Sequence, residues 1–396
     1  MATVVEIGAV EGFILDDPVA GVLDNTEYTL GGVVFSDITD KVIDVSIARG
    51  KNRELDRFSA GALTVNLNNE DRAFDPLYPS GTYSSFVIPR RDIRITTDSV
   101  RQFTGIVDDW NFRYSPDGRS RAEIVATDDF TLLARQQVTA GTATTEFSGA
   151  RVEAVLDQES VNWPSDRRNI DEGSSTLGTD VFEGNALEYL QKVETSEQGQ
   201  LFIDKTGNLT FRGRLDATPT ETGLTTFADD GTGIPFTLTA VNYGTELLVN
   251  TAEVTSNAGT AIAQNARSTT NYGISAQTLD TLVNSEAQLA NLANFTVSKY
   301  ADPEYRFEAI RINLDTVSSG QKATVLGLEI GDVIKIIFTT NRIGTPISQF
   351  GQIIRIDNDI SITEHNITIG VASLEYTFLV LNDSIFGTID NNALAF

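Results

Sequence analysis

The chain has 396 residues, enough for roughly two to four domains with separate cores. Its 29 Lys+Arg against 55 Asp+Glu give a net charge of −26, a field that repels a phosphate backbone and excludes tight nucleic-acid binding. With no cysteine, disulfides and thiolate metal sites are excluded, and no apolar run approaches the roughly 18 residues of a membrane span.

The acidity is uneven. Residues 1–32 carry six acids and no base, and their start, MATVVEIGAVEGF, lacks the basic region of a secretory signal. That points to a soluble chain made in the cytoplasm. Residues 33–137 are nearly neutral, with 14 basic and 16 acidic groups; residues 138–396 hold 15 and 33.

Period-two alternation predicts strands at VIDVSIARG (42–50), ALTVNLNN (62–69), DIRITT (92–97), FTGIVDDWNF (103–112) and RAEIVATDDF (121–130). The last two flank SPDG, where Gly118 supplies a positive φ. The stretch 68–91, with three prolines, is a predicted loop, and TLLARQQ (131–137) a short helix.

From 138 the pattern changes. VEAVLDQ (152–158) and NALEYLQKVETSEQG (185–199) have helical spacing, the second with Gly199 as C-cap, and 201–214 reads as a hairpin about KTGN. Strands return after 236, at 305–314, 332–340, 350–361 and 365–373. A helix capped by Ser285 is predicted over 284–300.

Two strand runs agree in order and spacing. DIRI, FTGIVDD and RAEIVATDD reappear as DVIKI, FGQIIRIDND and HNITIGVAS, which suggests one β module present twice. The expected fold is mainly β within the α+β class. It has two tube-like antiparallel β-barrel or sandwich modules (33–137 and 236–376, the latter with a helix near 285–299). A small α+β domain (138–235) is inserted between them, and terminal arms lie at 1–32 and 377–396.

The arms themselves repeat. LDDPVAGVLDN (15–25) and LNDSIFGTIDN (381–391) share five of eleven positions. Burying Leu381, Ile385, Phe386 and Ile389 gains about 8 kcal/mol, against about 16 for ordering the segment. Such an arm is expected to order only on a partner. The candidate docking residues are Leu15, Asp17, Val19, Gly21, Leu23, Asp24 and Asn25, with Leu381, Asp383, Ile385, Phe386, Gly387, Ile389, Asp390 and Asn391.

One stretch resembles a known family. The strand ending Ile47-Ala48-Arg49-Gly50, then Arg53-Glu54-Leu55-Asp56-Arg57-Phe58, Ala60-Gly61, Asn68-Asn69, Arg72, Phe74-Asp75-Pro76 and Phe103-Thr104-Gly105 carry the likeness. So do Val161-Asn162-Trp163-Pro164, Ala186-Leu187-Glu188-Tyr189-Leu190 and the run Ser196 to Ile203. Together they resemble the minor tail proteins that form the baseplate hub of long-tailed, non-contractile bacteriophages.

The resemblance implies a virion protein of the tail tip, without catalysis or cofactor. It implies a homotrimer whose six modules form a pseudo-sixfold ring on a hexameric distal tail protein. Other tail-tip or fibre proteins and the tape measure protein would be neighbours, and phage DNA would only pass through, along an acidic lumen. Two arms on each of three chains would then match six equivalent sites, or else clasp neighbouring hub subunits. A host-surface adhesin is the alternative reading, and a cell-wall hydrolase a further one.

Local motifs support no catalytic centre. Asp16/Asp17, Asp108/Asp109, Asp128/Asp129 and Asp357/Asp359 are expected to be solvated or interface carboxylates, since neighbours in a strand face opposite ways. NNEDRAFD (68–75) and IDNDIS (356–361) lack the glycine pattern of a calcium loop. His365 is the single histidine and is expected to be exposed. Trp110 and Trp163 read as core or interface anchors. In RGKNRELDRF, Arg49, Arg53, Glu54, Asp56 and Arg57 are expected to form interstrand or intersubunit ion pairs.

Overall fold

The computed structural model describes residues 2–11, Pro18, Val22, 33–139, 141–214 and 224–374. The first module comprises β1 (Thr3–Glu11), β2 (Val33–Asp37), β3 (Val42–Gly50), β4 (Ser59–Asn68), β5 (Asp92–Thr97), β6 (Val100–Tyr114) and β7 (Ser120–Thr127). Alternation works here as the pleat requires: Leu63, Val65 and Leu67 of β4 are buried, while Thr64 and Asn66 face outward. Hydrogen bonding orders the strands β2-β1-β5-β6-β7-β4-β3. β1 comes from the segment expected to be an arm; Val5 and Ile7 lie in the core, and the strand pairs with β5. The loop 69–91 is pinned by Phe74, buried and stacked on Tyr83 at 4.9 Å.

Helix α1 (Phe130–Leu133) leads into the middle domain. This holds β8 (Thr142–Ala143), β9 (Glu146–Phe147), α2 (Ser148–Leu156), β10 (Arg168–Ile170), β11 (Thr176–Leu177), β12 (Asp180–Val181), α3 (Ala186–Glu197), β13 (Gln200–Ile203) and β14 (Leu209–Arg212). Asn185 caps α3 by accepting from the Leu187 and Glu188 amides. At its other end Gln198, with φ of 52°, takes the left-handed position expected for Gly199. Arg151 is fully buried and donates to Glu146 (2.5 Å), Tyr189 (3.0 Å) and the carbonyls of Thr144 and Gly178 (2.7 Å each).

The second module holds β15 (Thr225–Ala228), β16 (Leu238–Tyr243), β20 (Tyr305–Asn313), α6 (Ser319–Gly327), β21 (Val333–Phe338), β22 (Ile347–Ser361) and β23 (His365–Ser373). Between β16 and β20 lies an insert of β17 (Thr251–Ser256), β18 (Gly259–Gln264), α4 (Ala266–Tyr272), β19 (Ala276–Asp280) and α5 (Glu286–Tyr300). Ser285 caps α5 through the Gln288 amide, as its sequence predicts. β15, expected in the middle domain, instead pairs with β21.

The second module's strands run β15-β21-β22-β23-β20-β16. Set against β1-β5-β6-β7-β4-β3, each of these six strands has a counterpart in the same chain order; β2 has none among the described residues. The one reversal is that β1 lies antiparallel to β5, whereas β15 lies parallel to β21. Among the described residues, no helix is long and apolar enough to cross a membrane.

Candidate assembly interface

The two modules join edge to edge. β22 forks: Ile347–Gln352 pair with β21, and residues 355–361 pair with β3, from Arg355↔Gly50 to Ser361↔Asp44. The join requires Gly50, whose φ is +109° and whose absent Cβ would sit 2.1 Å from the Ile354 carbonyl oxygen. The cores follow the strands across. Ile360 packs into the first module's core, while Phe58 enters the second module's, 5.6 Å from Phe202.

A polar node fastens the three domains where β3 ends. Arg49, almost wholly buried, donates to Glu329 Oε1 at 2.6 Å and to the Ile203 carbonyl at 3.3 Å. Glu329 Oε2 accepts from the Lys205 amide at 2.9 Å. Lys205 Nζ in turn donates to the carbonyls of Leu326 (2.9 Å), Gly327 (2.7 Å) and Leu328 (3.0 Å). A cation therefore closes the C-terminal end of α6, where the helix dipole favours positive charge. Nearby Asp128, buried, accepts from the Gly61 and Phe130 amides. Burial outweighs those bonds and pushes its carboxyl up to about 7.

Of the five residues of RGKNRELDRF expected to form interstrand or intersubunit ion pairs, three have charged partners within the chain. Arg49 takes Glu329 (2.6 Å), Arg53 takes Glu246 (2.8 Å), and Glu54 takes Lys299 (2.5 Å) with the Tyr300 hydroxyl (2.9 Å). Burial acts to raise Glu54, yet Lys299 and Tyr300 prevail and hold its carboxylate below the usual range. Arg57 reaches Gln191 at 3.5 Å, and Asp56 is exposed. The loop thus grips both α3 and α5, beside a cavity of about 400 Å³ that Lys51, Glu194 and Arg214 also line. Burial there pushes Glu194 up to about 7.

Other candidates fall into place singly. Asp108 accepts from Thr127 (2.6 Å); Asp129 pairs with Arg167; Asp357 pairs with Arg355 (3.0 Å). His365 is buried, contrary to expectation, with Nε2 2.8 Å from Asn358 Oδ1. It opens β23 on the inward side of the pleat, which its polar neighbours disguise. Trp163 is buried in the middle core, and Trp110 packs on Phe74 at 5.9 Å. The arm residues at 15–25 and 381–391 that were singled out lie outside the described residues. Among the described residues, no three His, Cys, Asp or Glu are grouped to hold a metal. Glu329 and Lys205 carry no local sequence signal; their role exists only where three domains meet.

On the outward face one cross-strand row runs unbroken through both modules. It reads Asn313, Asn366, Asp359, Ser46, Thr64, Val125 and Asp109. Apart from Val125 the row is polar or acidic, and it holds no cation.

No protein-family model and no curated protein matches the sequence. The fold is that of bacteriophage tail proteins. A tail protein from Neisseria meningitidis MC58 superposes with a TM-score of 0.61 at 10% identity, over 94% of this chain and 97% of that one. The 43 kDa tail protein of prophage MuSo2 from Shewanella oneidensis gives 0.58 at 12%, over 93% and 96%. The E. coli c3393 protein gives 0.50 at 10%, over 84% and 74%. It is described as a type VI secretion component structurally similar to the T4 tail proteins gp27 and gp5.

Proposed function

We propose that this chain is a structural subunit of a phage tail tip, a baseplate hub without catalysis. Three copies form a ring of six modules that extends the tail tube and adapts a hexameric distal tail protein to threefold components below. The observation that carries this reading is the matched strand order of two modules joined side by side in one chain. A chain with two like units meets a sixfold partner with three copies. The neighbours' identity as tail proteins supports the setting.

In this reading the outward polar row lines the lumen. Its Asp109 and Asp359 repel DNA phosphates, so DNA passes without binding. The arms at 15–25 and 381–391 are the docking segments for tail neighbours, such as the distal tail, fibre and tape measure proteins. The test is mass by light scattering, alone and with a co-expressed distal tail protein. A trimer that binds one hexamer is expected; a monomer in both conditions would sink the reading.

A further inference from the structure

The internal junction uses one edge of β22 and one edge of β3, and each has a counterpart left unpaired among the described residues. β6 corresponds to β22. Both have 15 residues, and both have a register shift against the next strand, between Val107 and Asp109 and between Ile353 and Arg355. Aligning those shifts places Gly105 on Gly351, and Asp109 to Tyr114 on Arg355 to Ile360. β22 offers 355–361 to β3, but the matching stretch of β6 pairs only with β7 among the described residues. β16 corresponds to β3, since each borders the module beside its partner strand (β20 and β4). Among the described residues, β16 pairs on that side alone. By the shared register Val45 matches Thr239, and Gly50, the residue the internal join requires, matches Gly244.

We infer that β16 of one copy pairs antiparallel with β6 of a second copy of this chain, repeating between chains the β3–β22 junction found within one. The inference rests on the ring reading and supplies its contact. Transferring the internal register gives Asp109 opposite Gly244, Trp110 opposite Tyr243, Asn111 opposite Asn242, Phe112 opposite Val241, Arg113 opposite Ala240 and Tyr114 opposite Thr239.

The side chains suit that register. Trp110, Phe112 and Tyr114 form a stacked ladder on one face of β6, with neighbouring centroids 6.4 and 6.3 Å apart. They would meet Tyr243, Val241 and Thr239. Asn111 and Arg113 would meet Asn242 and Ala240 on the polar face. A one-residue slip would set the aromatic ladder against the polar row. Tyr114 and Tyr243 are 58% and 70% exposed, large rings on strands whose backbone edges are open among the described residues. Such an edge is a template for strand addition. Because the two edges differ, the contact is head-to-tail and repeats around a ring.

The chain has no cysteine, so paired thiols report the register directly. The full chain carrying Asn111→Cys and Asn242→Cys should cross-link between copies on mild oxidation, giving a ladder that ends at three. Asn111→Cys with Thr237→Cys should not. Tyr243→Glu, on an exposed side chain, should weaken self-association at least tenfold while circular dichroism stays unchanged.

Absence of the cross-link, or equal linking by both pairs, overturns the inference. So does a link that forms only after residues 375–396 are removed, which would assign the β16 edge to the chain's own end. A trimer that forms without this link leaves the ring standing and removes the junction. A chain that is monomeric even with the distal tail protein removes the ring itself.

Discussion

Arg49 Nη2 and Glu329 Oε1 lie 2.6 Å apart although 280 residues separate them in the chain. The pair joins the end of a first-module strand to the turn after α6, and the same carboxylate holds the Lys205 amide of the middle domain. With Arg49 4% and Glu329 14% exposed at the side chain, little water is available to replace a lost partner.

Glu329→Ala should therefore destabilise the protein by about 3–5 kcal/mol, because it leaves a buried guanidinium uncompensated. The double change Arg49→Met, Glu329→Met should cost much less. Denaturant unfolding of both variants checks this. Equal losses would mean that the pair itself, rather than the orphaned charge, carries the energy.

Gly50→Ala tests the join between modules. The backbone strain alone is about 1–3 kcal/mol at a φ of +109°, and the added methyl would collide with Ile354. Melting should fall, and protease should cut the 51–58 loop faster than in the parent.

His365 gives an acid-side prediction. Burial pulls its imidazole down from 6.5 to about 4, so the unfolded chain binds the extra proton first as pH falls. Its contribution is complete above pH 6.5 and is lost as pH drops through 4, about 3 kcal/mol in all. The difference in unfolding free energy between the parent and His365→Gln, measured from pH 7 to pH 4, should trace that loss. A flat difference would refute it.

Asp128 runs the other way. Its carboxyl is raised from 3.8 to about 7, so its favourable contribution is full below 3.8 and disappears as pH rises through 7. Asp128→Asn, which keeps an acceptor for the Gly61 amide, should be the more stable protein at pH 8, on the order of 1–3 kcal/mol. That advantage should vanish by pH 4. Paired thermal melts at the two pH values decide it.

Much of the secondary structure was legible because its causes are local. Alternation in 42–50, 62–69 and 92–97 marks strands wherever they pair, and Asn185 and Ser285 cap helices within three residues of themselves. The repeated strand order of the modules showed for the same reason. Other features had weaker local signs. Thr3–Glu11 read as part of an arm because its partners, β2 and β5, lie far along the chain, and α4 and α6 lack a strong apolar stripe. His365 read as exposed because its neighbours are polar, although the pleat turns it inward.

The sequence by itself determined many of the strands and helices, those at 42–50, 62–69, 92–97 and 284–300 among them, and the recurring strand order, since side-chain periodicity and capping act over a few residues. Tertiary structure alone decided that β3 pairs with β22, that Arg49 finds Glu329, and that β6 and β16 keep open edges among the described residues. Backbone hydrogen bonds between strands are the same for every side chain. Which edge meets which is therefore settled by the packing of cores far apart in the chain.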